Sequence, residues 1–312
     1  MPSGYSMFAM LPALLALAFG QAAAAPRVVA SIAPLHSLVA AVMEGAGTPR
    51  LLLQGGESPH TFSLRPSEAR MLNDADVLFW IGPQLEVPLA RILPNLAMTR
   101  SVPMINTPGL QLLPVRRLDE APAAGHSQTH DEPHAGEDAA VDPHIWLSTD
   151  NAAAMTDEIA RILAELDPLG APLYQSNARR LKERLVALDL DLRRQLAGID
   201  GGYVVFHDAY HYLEHRYGLQ SAGTVTTHPE RSPGAAHLRA LRRTMTEKQV
   251  RCLFSEPQFQ PRVVAMLSEG LSVRHAILDP LGRDIPPGPD AYPLLMRAMV
   301  QALAGCMHQE TP

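Results

Sequence analysis

Four side chains of the 312-residue sequence could act together on one metal ion. His60 comes shortly after the apolar run 51–53, in Gly-Gly-Glu-Ser-Pro-His, and His144 lies in Asp-Pro-His-Ile-Trp. His207 ends the run 203–206 in Phe-His-Asp-Ala-Tyr, and Asp279 ends the run 276–278 in Leu-Asp-Pro-Leu-Gly. Neutral imidazole is a good zinc ligand, and three imidazoles with one carboxylate complete a tetrahedral shell. A nitrogen-rich set also disfavours magnesium and calcium, which take oxygen ligands. Each histidine taken alone reads more simply as a surface or hydrogen-bonded residue. No compact metal motif such as H-E-x-x-H is present. The case for a shared ion therefore rests on where the elements put the four.

Short apolar runs alternate with helical patterns from residue 28 onward. Strands are expected over 28–32, 50–53 and 77–81, and helices over 34–43, 66–73 and 85–93. Such alternation predicts βα units on a mainly parallel sheet. Thr149 or Asp150 is the expected cap of a helix over 151–166. Pro168 separates it from a longer helical pattern over 172–197, where Leu181, Leu185, Leu188 and Leu192 recur at three- and four-residue spacing. A helix of ~25 residues spans nearly 40 Å, enough to connect two lobes. The βα style then returns, with strands over 203–206, 252–254 and 275–278 and helices over 208–216, 238–247, 262–269 and 292–306. The expected fold is α/β: two (β/α) lobes with mainly parallel sheets, 26–167 and 199–312, bridged by a long rigid helix over 168–198. Ligands gather at the carboxyl ends of parallel strands and in the clefts between lobes. The four candidate residues lie there, two from each half.

Hydrophobic residues make up 46% and charged residues 19%, which suits a soluble globular chain. A net charge of −6 carries no electrostatic footprint for nucleic acid. Residues 7–20 are uncharged and rich in Ala and Leu, and small residues follow at 22–25. This is the pattern of a secretory signal over 1–25, although residues 1–6 lack the usual Lys or Arg. Export to the periplasm would put Cys252 and Cys306 in an oxidising compartment, where a disulfide is expected; two buried free thiols are the alternative. Residues 118–141 carry His126, His130 and His134 among Asp, Glu, Ser, Gly and Pro, with almost nothing to bury. That composition predicts a mobile surface loop, either binding extra zinc weakly or without a role. His211 and His215 follow His207 at steps of four, so one helix face could carry all three and hold a second metal. A solvated helix face is the plainer reading. His36, in an apolar helix start, is expected to be structural.

Five segments taken together carry a resemblance. They are Ser31-Ile-Ala-Pro-Leu-His36, Ser58-Pro-His60-Thr-Phe-Ser-Leu-Arg-Pro66, Asp142-Pro-His-Ile-Trp-Leu147, Phe206-His-Asp-Ala-Tyr210 and Asp279-Pro-Leu-Gly282. In this order they resemble the signatures of the metal-binding proteins of ABC importers, and within these the zinc-specific ZnuA branch. The resemblance runs from about residue 28 to the C-terminus. It implies two α/β lobes bridged by a rigid helix, with zinc held in the cleft and delivered to a membrane permease. By position His60, His144 and His207 match the three zinc-binding histidines, and Asp279 the acidic fourth ligand. Manganese binders of the family resemble this chain but have a carboxylate where His207 stands; nitrogen there favours zinc. Pro59 departs from branch members with glutamate at that place, which points to Asp279 or a water as the fourth ligand, with Glu57 a distant substitute. A monomer is expected, with an auxiliary periplasmic zinc chaperone as a further partner.

Three histidines on zinc with an exchangeable position also describe a hydrolytic or hydration enzyme. Such an enzyme needs an open coordination site, a general acid or base and a substrate pocket. The sequence offers no convincing Ser/His/Asp or paired-carboxylate arrangement beside Asp279, which favours carriage over catalysis. An adhesin of the same fold is a third reading, for which the sequence shows nothing specific.

Overall fold

The computed structural model describes residues 25–308 apart from 55–56, 97–99, 117–139, 200, 228, 230–231 and 259–261. The expected leader, Ala25 excepted, and His126, His130 and His134 lie outside the described residues.

Strands Val28–Ala30 (β1), Arg50–Leu51 (β2), Val77–Trp80 (β3) and Ser101–Pro103 (β4) form a parallel sheet in the order β2-β1-β3-β4. β1 and β3 are apolar throughout and buried at every position, as strands covered on both faces must be. Helices Ala33–Val42 (α1), Pro66–Asn73 (α2) and Val87–Ile92 (α3) belong to this lobe. Helices Thr149–Leu166 (α4) and Ala171–Leu196 (α5) follow. The second lobe repeats the first: Tyr203–His207 (β5), Gly223–Thr226 (β6), Cys252–Ser255 (β7) and Arg274–Ile277 (β8) are parallel in the order β6-β5-β7-β8. Its helices are His211–Tyr217 (α6), Ala235–Glu247 (α7), Arg262–Ser268 (α8) and Ala291–His308 (α9).

The 26 residues of α5 span about 39 Å. Its buried stripe, including Leu181, Leu185, Leu188 and Leu192, packs on α1 and α4 on one side and on α9 on the other. The Asn177 amide donates to the carbonyls of Val42 (2.9 Å) and Glu44 (2.7 Å), meeting acceptors that the end of α1 leaves open. Buried Asp189 accepts from Thr149 Oγ1 and Arg216 Nε, both at 2.8 Å. One apolar cluster runs from β1 through α5 to α9, so the long helix is part of both lobes' core.

Each sheet reverses its strand order beside its first strand, and the crevice outside the carboxyl ends there is the usual ligand position. In the first lobe that crevice is filled from within. Glu86 is fully buried and accepts from Ser31 Oγ (2.5 Å), Ile81 N (3.1 Å) and Gly82 N (2.8 Å); burial nonetheless pushes its carboxyl up to about 7. In the second lobe the equivalent ends carry His207, on β5, and Glu256, just after β7.

Three expectations need correction. β4 and β6 had no sequence counterpart: both are short edge strands, one closed by Pro103 and one opened by Gly223, without an apolar run. Ser148, not Thr149 or Asp150, caps α4, its Oγ accepting from Asn151 N at 3.3 Å. α6 starts at His211 rather than 208, because the chain turns tightly after β5 and Tyr210 OH is tied to Leu278 O at 3.0 Å. His207 therefore shares no helix face with His211 and His215. Cys252 and Cys306 are disulfide-bonded, with Cα atoms 6.2 Å apart. A closed loop of this length stabilises the fold by on the order of 4 kcal/mol in the chain-entropy model.

Candidate metal centre

The second lobe supplies His207 from the end of β5. His144 opens a short 3-10 turn, Ile145–Leu147, that leads into α4. His60 comes from the loop between β2 and α2. Among the described residues these three form the one group of His, Cys, Asp or Glu side chains placed to hold a metal, with ligand atoms all within 4.8 Å of one another. His144 and His207 are buried and His60 half-buried. Ring centroids are 5.1 Å apart for His144 and His207, and 5.7 and 5.9 Å from His60 to each.

Carboxylates fix the orientation of the two buried rings. His144 Nδ1 lies 2.7 Å from Asp142 Oδ1, which also accepts from the His144 backbone N–H at 2.9 Å. His207 Nδ1 lies 2.5 Å from Glu256 Oε1. A proton on each Nδ1 satisfies these carboxylates and leaves a lone pair on each Nε2. Those two Nε2 atoms face each other at 3.2 Å. Two acceptors that close need a positive charge between them. Tetrahedral zinc with Zn–N near 2.05 Å sets its ligand nitrogens about 3.3 Å apart, close to this separation. Burial opposes a charge on His207, but the carboxylates of Glu256, Asp208 and Asp142 together outweigh it, so the histidine's pKa is raised in the metal-free protein.

The enclosed space is small. A cavity of about 10 Å³ lies among His60, His144, His207, Trp146, Glu256 and Pro280, room for an ion or one water and no organic substrate. Trp146 closes it: its indole N–H donates to Pro280 O at 2.8 Å, and its ring lies 5.3 Å from His144.

Asp279 stands outside the group of three. Its Oδ1 accepts from the backbone N–H of Leu281 and Gly282 (both 3.0 Å) and from Gln258 Nε2 (3.3 Å), and its Oδ2 from Arg283 N (2.6 Å). The loop's own amides thus hold the carboxylate. Glu57 is paired with Arg65 at 2.6 Å. His36 is buried with Nε2 3.1 Å from Pro49 O. His211 Nδ1 lies 3.8 Å from Asp142 Oδ2 and His215 is exposed; among the described residues neither belongs to a group of three or more side chains placed to hold a metal. Glu256 was not singled out by sequence reasoning. Its one signal is position, as the acidic residue just past a strand end, like Asp279 past β8.

Carboxylates that orient histidine ligands typically contribute 10–100-fold to metal affinity. Glu256→Gln and Asp142→Asn are each expected to weaken metal binding by about that factor, measured by equilibrium competition with a chelator. Wild-type affinity in both would mean that neither ring is aligned for a metal.

Two parallel-sheet lobes sharing a long helix, with three imidazoles converging between them, define a metal-binding solute-binding protein. The family model described as ZnuA, zinc-uptake complex component A, periplasmic, matches residues 28–306, and the chain belongs to this family. It is 37% identical over 304 residues to the high-affinity zinc uptake system protein ZnuA of Brucella abortus (strain 2308), covering 90% of this chain and 91% of that protein. Among solved structures, a crystal structure of ZnuA superposes with a TM-score of 0.75 at 24% identity, covering 91% of this chain and 99% of that one. The solute-binding protein FpvC of Pseudomonas aeruginosa, in complex with Mn2+, superposes with a TM-score of 0.74 at 21% identity, covering 91% and 98%. These two likenesses bear on the fold. The family and the Brucella relative are named for uptake, not for catalysis.

Proposed function

We propose that this protein captures Zn2+ in the periplasm and delivers it to the membrane permease of an ABC importer. The observation that carries the reading is the pair of carboxylate-aligned histidines whose Nε2 atoms meet at 3.2 Å. His60 supplies a third nitrogen. Asp279 is the fourth ligand, drawn inward with its loop when the ion arrives. Three of the four hydrogen bonds Asp279 accepts fall on Oδ1, so Oδ2, which accepts from Arg283 N, keeps a lone-pair site for metal. An all-imidazole first set of ligands favours zinc over manganese, which is better served by carboxylates. The family role and the leader pattern over 1–25 support the periplasmic setting. The protein acts as a monomer, and an auxiliary zinc chaperone is compatible with loading it. Docking on the permease loosens the cleft and frees the ion.

Elemental analysis after dialysis of the metal-free protein against equal Zn2+ and Mn2+ tests the metal. Zinc bound in a one-to-one ratio with little manganese is the expected result; manganese in preference to zinc would refute the assignment.

In this reading His126, His130 and His134 bind further zinc weakly. Deleting 118–139 while keeping Ala140 and Val141, which pair with Val115 and Pro114, is expected to leave one tight site and remove only weak binding. Isothermal titration of the shortened chain measures this; loss of the tight site would overturn the division.

A further inference from the structure

His144 and His207 are 63 residues apart in sequence, yet their Nε2 atoms must be held to a fraction of an ångström to share an ion. Zinc sites tolerate only about 0.2 Å around ideal ligand distances. Something must therefore fasten the segment carrying His144 to the lobe carrying His207.

The His144 segment begins in a small two-stranded clasp. Pro114 bridges Val141, Val115 N donates to Ala140 O at 2.8 Å, and Asp142 N donates to Leu113 O at 2.9 Å. Asp142 is the residue whose carboxylate aligns His144. Next in the clasp comes Arg116, which reaches into the second lobe. Its Nε donates to Asp208 Oδ2 at 3.0 Å, a second guanidinium N–H donates to Asp208 Oδ1, and Nη1 donates to Glu214 Oε2 at 2.5 Å. Asp208 directly follows His207. Glu214, on α6, is braced in turn by Tyr203 OH of β5 at 2.8 Å. Both carboxylates are almost wholly buried, at 6% and 3% side-chain exposure, whereas Arg116 is one-third exposed. Tyr212 ties the same clasp to α6: its hydroxyl accepts from Leu113 N (3.1 Å) and donates to Asp142 O (2.9 Å).

We infer that Arg116 is a positioning residue for zinc: its forked bridge to Asp208 and Glu214 sets the separation of His144 and His207. The inference rests on the zinc-binding reading above. Two buried carboxylates held by a partly exposed guanidinium are a poor device for stability alone, since apolar side chains of similar volume do as well or better. A planar guanidinium gripping one carboxylate with two N–H groups fixes direction as well as distance. Lysine, a point charge on a flexible stem, cannot hold both carboxylates in that geometry.

The test compares zinc affinity and apo-protein melting temperature in the full mature chain, with Zn2+ and a chromophoric chelator as the probe. Arg116→Gln strands two buried carboxylates, so it is expected to lower both. The triple variant Arg116→Gln/Asp208→Asn/Glu214→Gln removes the stranded charges and is expected to recover melting temperature while still binding zinc at least tenfold more weakly than wild type. Arg116→Lys, which keeps the charge and loses the fork, is expected to fall between. Wild-type affinity in Arg116→Lys, or its return together with melting temperature in the triple variant, would overturn the inference and leave Arg116 a charge-balancing residue. Failure of the zinc reading itself looks different: wild-type protein would then show no tight site in the same titration.

Discussion

Replacing His207 by alanine is expected to weaken zinc binding by roughly a factor of 10² to 10³. Binding free energies of about 10–16 kcal/mol for structural zinc sites, divided among three or four ligands, give about 2.5–5 kcal/mol per ligand, centred near this factor. The substitution also costs the fold, because it removes the imidazole that meets the Glu256 side chain, 2% exposed, at 2.5 Å. Losing a buried hydrogen bond to a carboxylate costs about 1–3 kcal/mol, so the variant should also melt at a lower temperature than wild type without metal. Two companions separate the effects. His207→Ala/Glu256→Gln should regain stability and not affinity. His60→Ala, at a half-buried position, should lose affinity with little change in apo stability. If His207→Ala keeps wild-type affinity as measured by chelator competition, the convergence of the two Nε2 atoms has nothing to do with zinc.

A second large effect is expected with pH. Zinc binds neutral imidazole, so every proton on a ligand must leave before the ion is held. Histidine ordinarily titrates near 6.5. In the metal-free fold His207 is raised above that value: burial works against its charge, and the carboxylates of Glu256, Asp208 and Asp142 together more than compensate. The sign follows directly. Affinity is greatest above the raised His207 value, where no proton competes, and falls as pH drops through it. The decline therefore starts at a higher pH than an ordinary histidine would give. Between pH 7.5 and 5.5 proton competition at His207 alone is expected to weaken binding at least roughly tenfold. Chelator competition corrected for the chelator's own protonation measures it; an affinity flat over that range would contradict histidine ligation.

Much of this site was legible in the sequence because strand ends were. The apolar run 203–206 stops where β5 releases the chain, and the run 51–53 ends two residues past β2; parallel strands release the chain on the ligand-binding side. Proline in the first turn and a clean helical pattern set α2 at Pro66–Asn73, the same bounds that the sequence predicts. The leucine spacing likewise marks α5, displaced by one residue at each end. What stayed hidden depends on distance or on turns. Glu256 meets His207 across 49 residues, and Arg116 meets Asp208 across 92; neither pairing leaves a local pattern. The spacing that could have put His207, His211 and His215 on one helix face does not do so, because residues 208–210 are spent on a turn. Asp279 was readable as a residue past a strand end, but not that its carboxylate accepts from three amides of its own loop.

The most direct test of the central claim is a zinc titration of the metal-free mature protein against a chromophoric chelator, run in parallel on His60→Ala, His144→Ala and His207→Ala. The expected result is one tight site per wild-type chain, lost in all three variants. No tight site in the wild type, or one indifferent to these substitutions, would contradict the assignment of the three histidines to zinc.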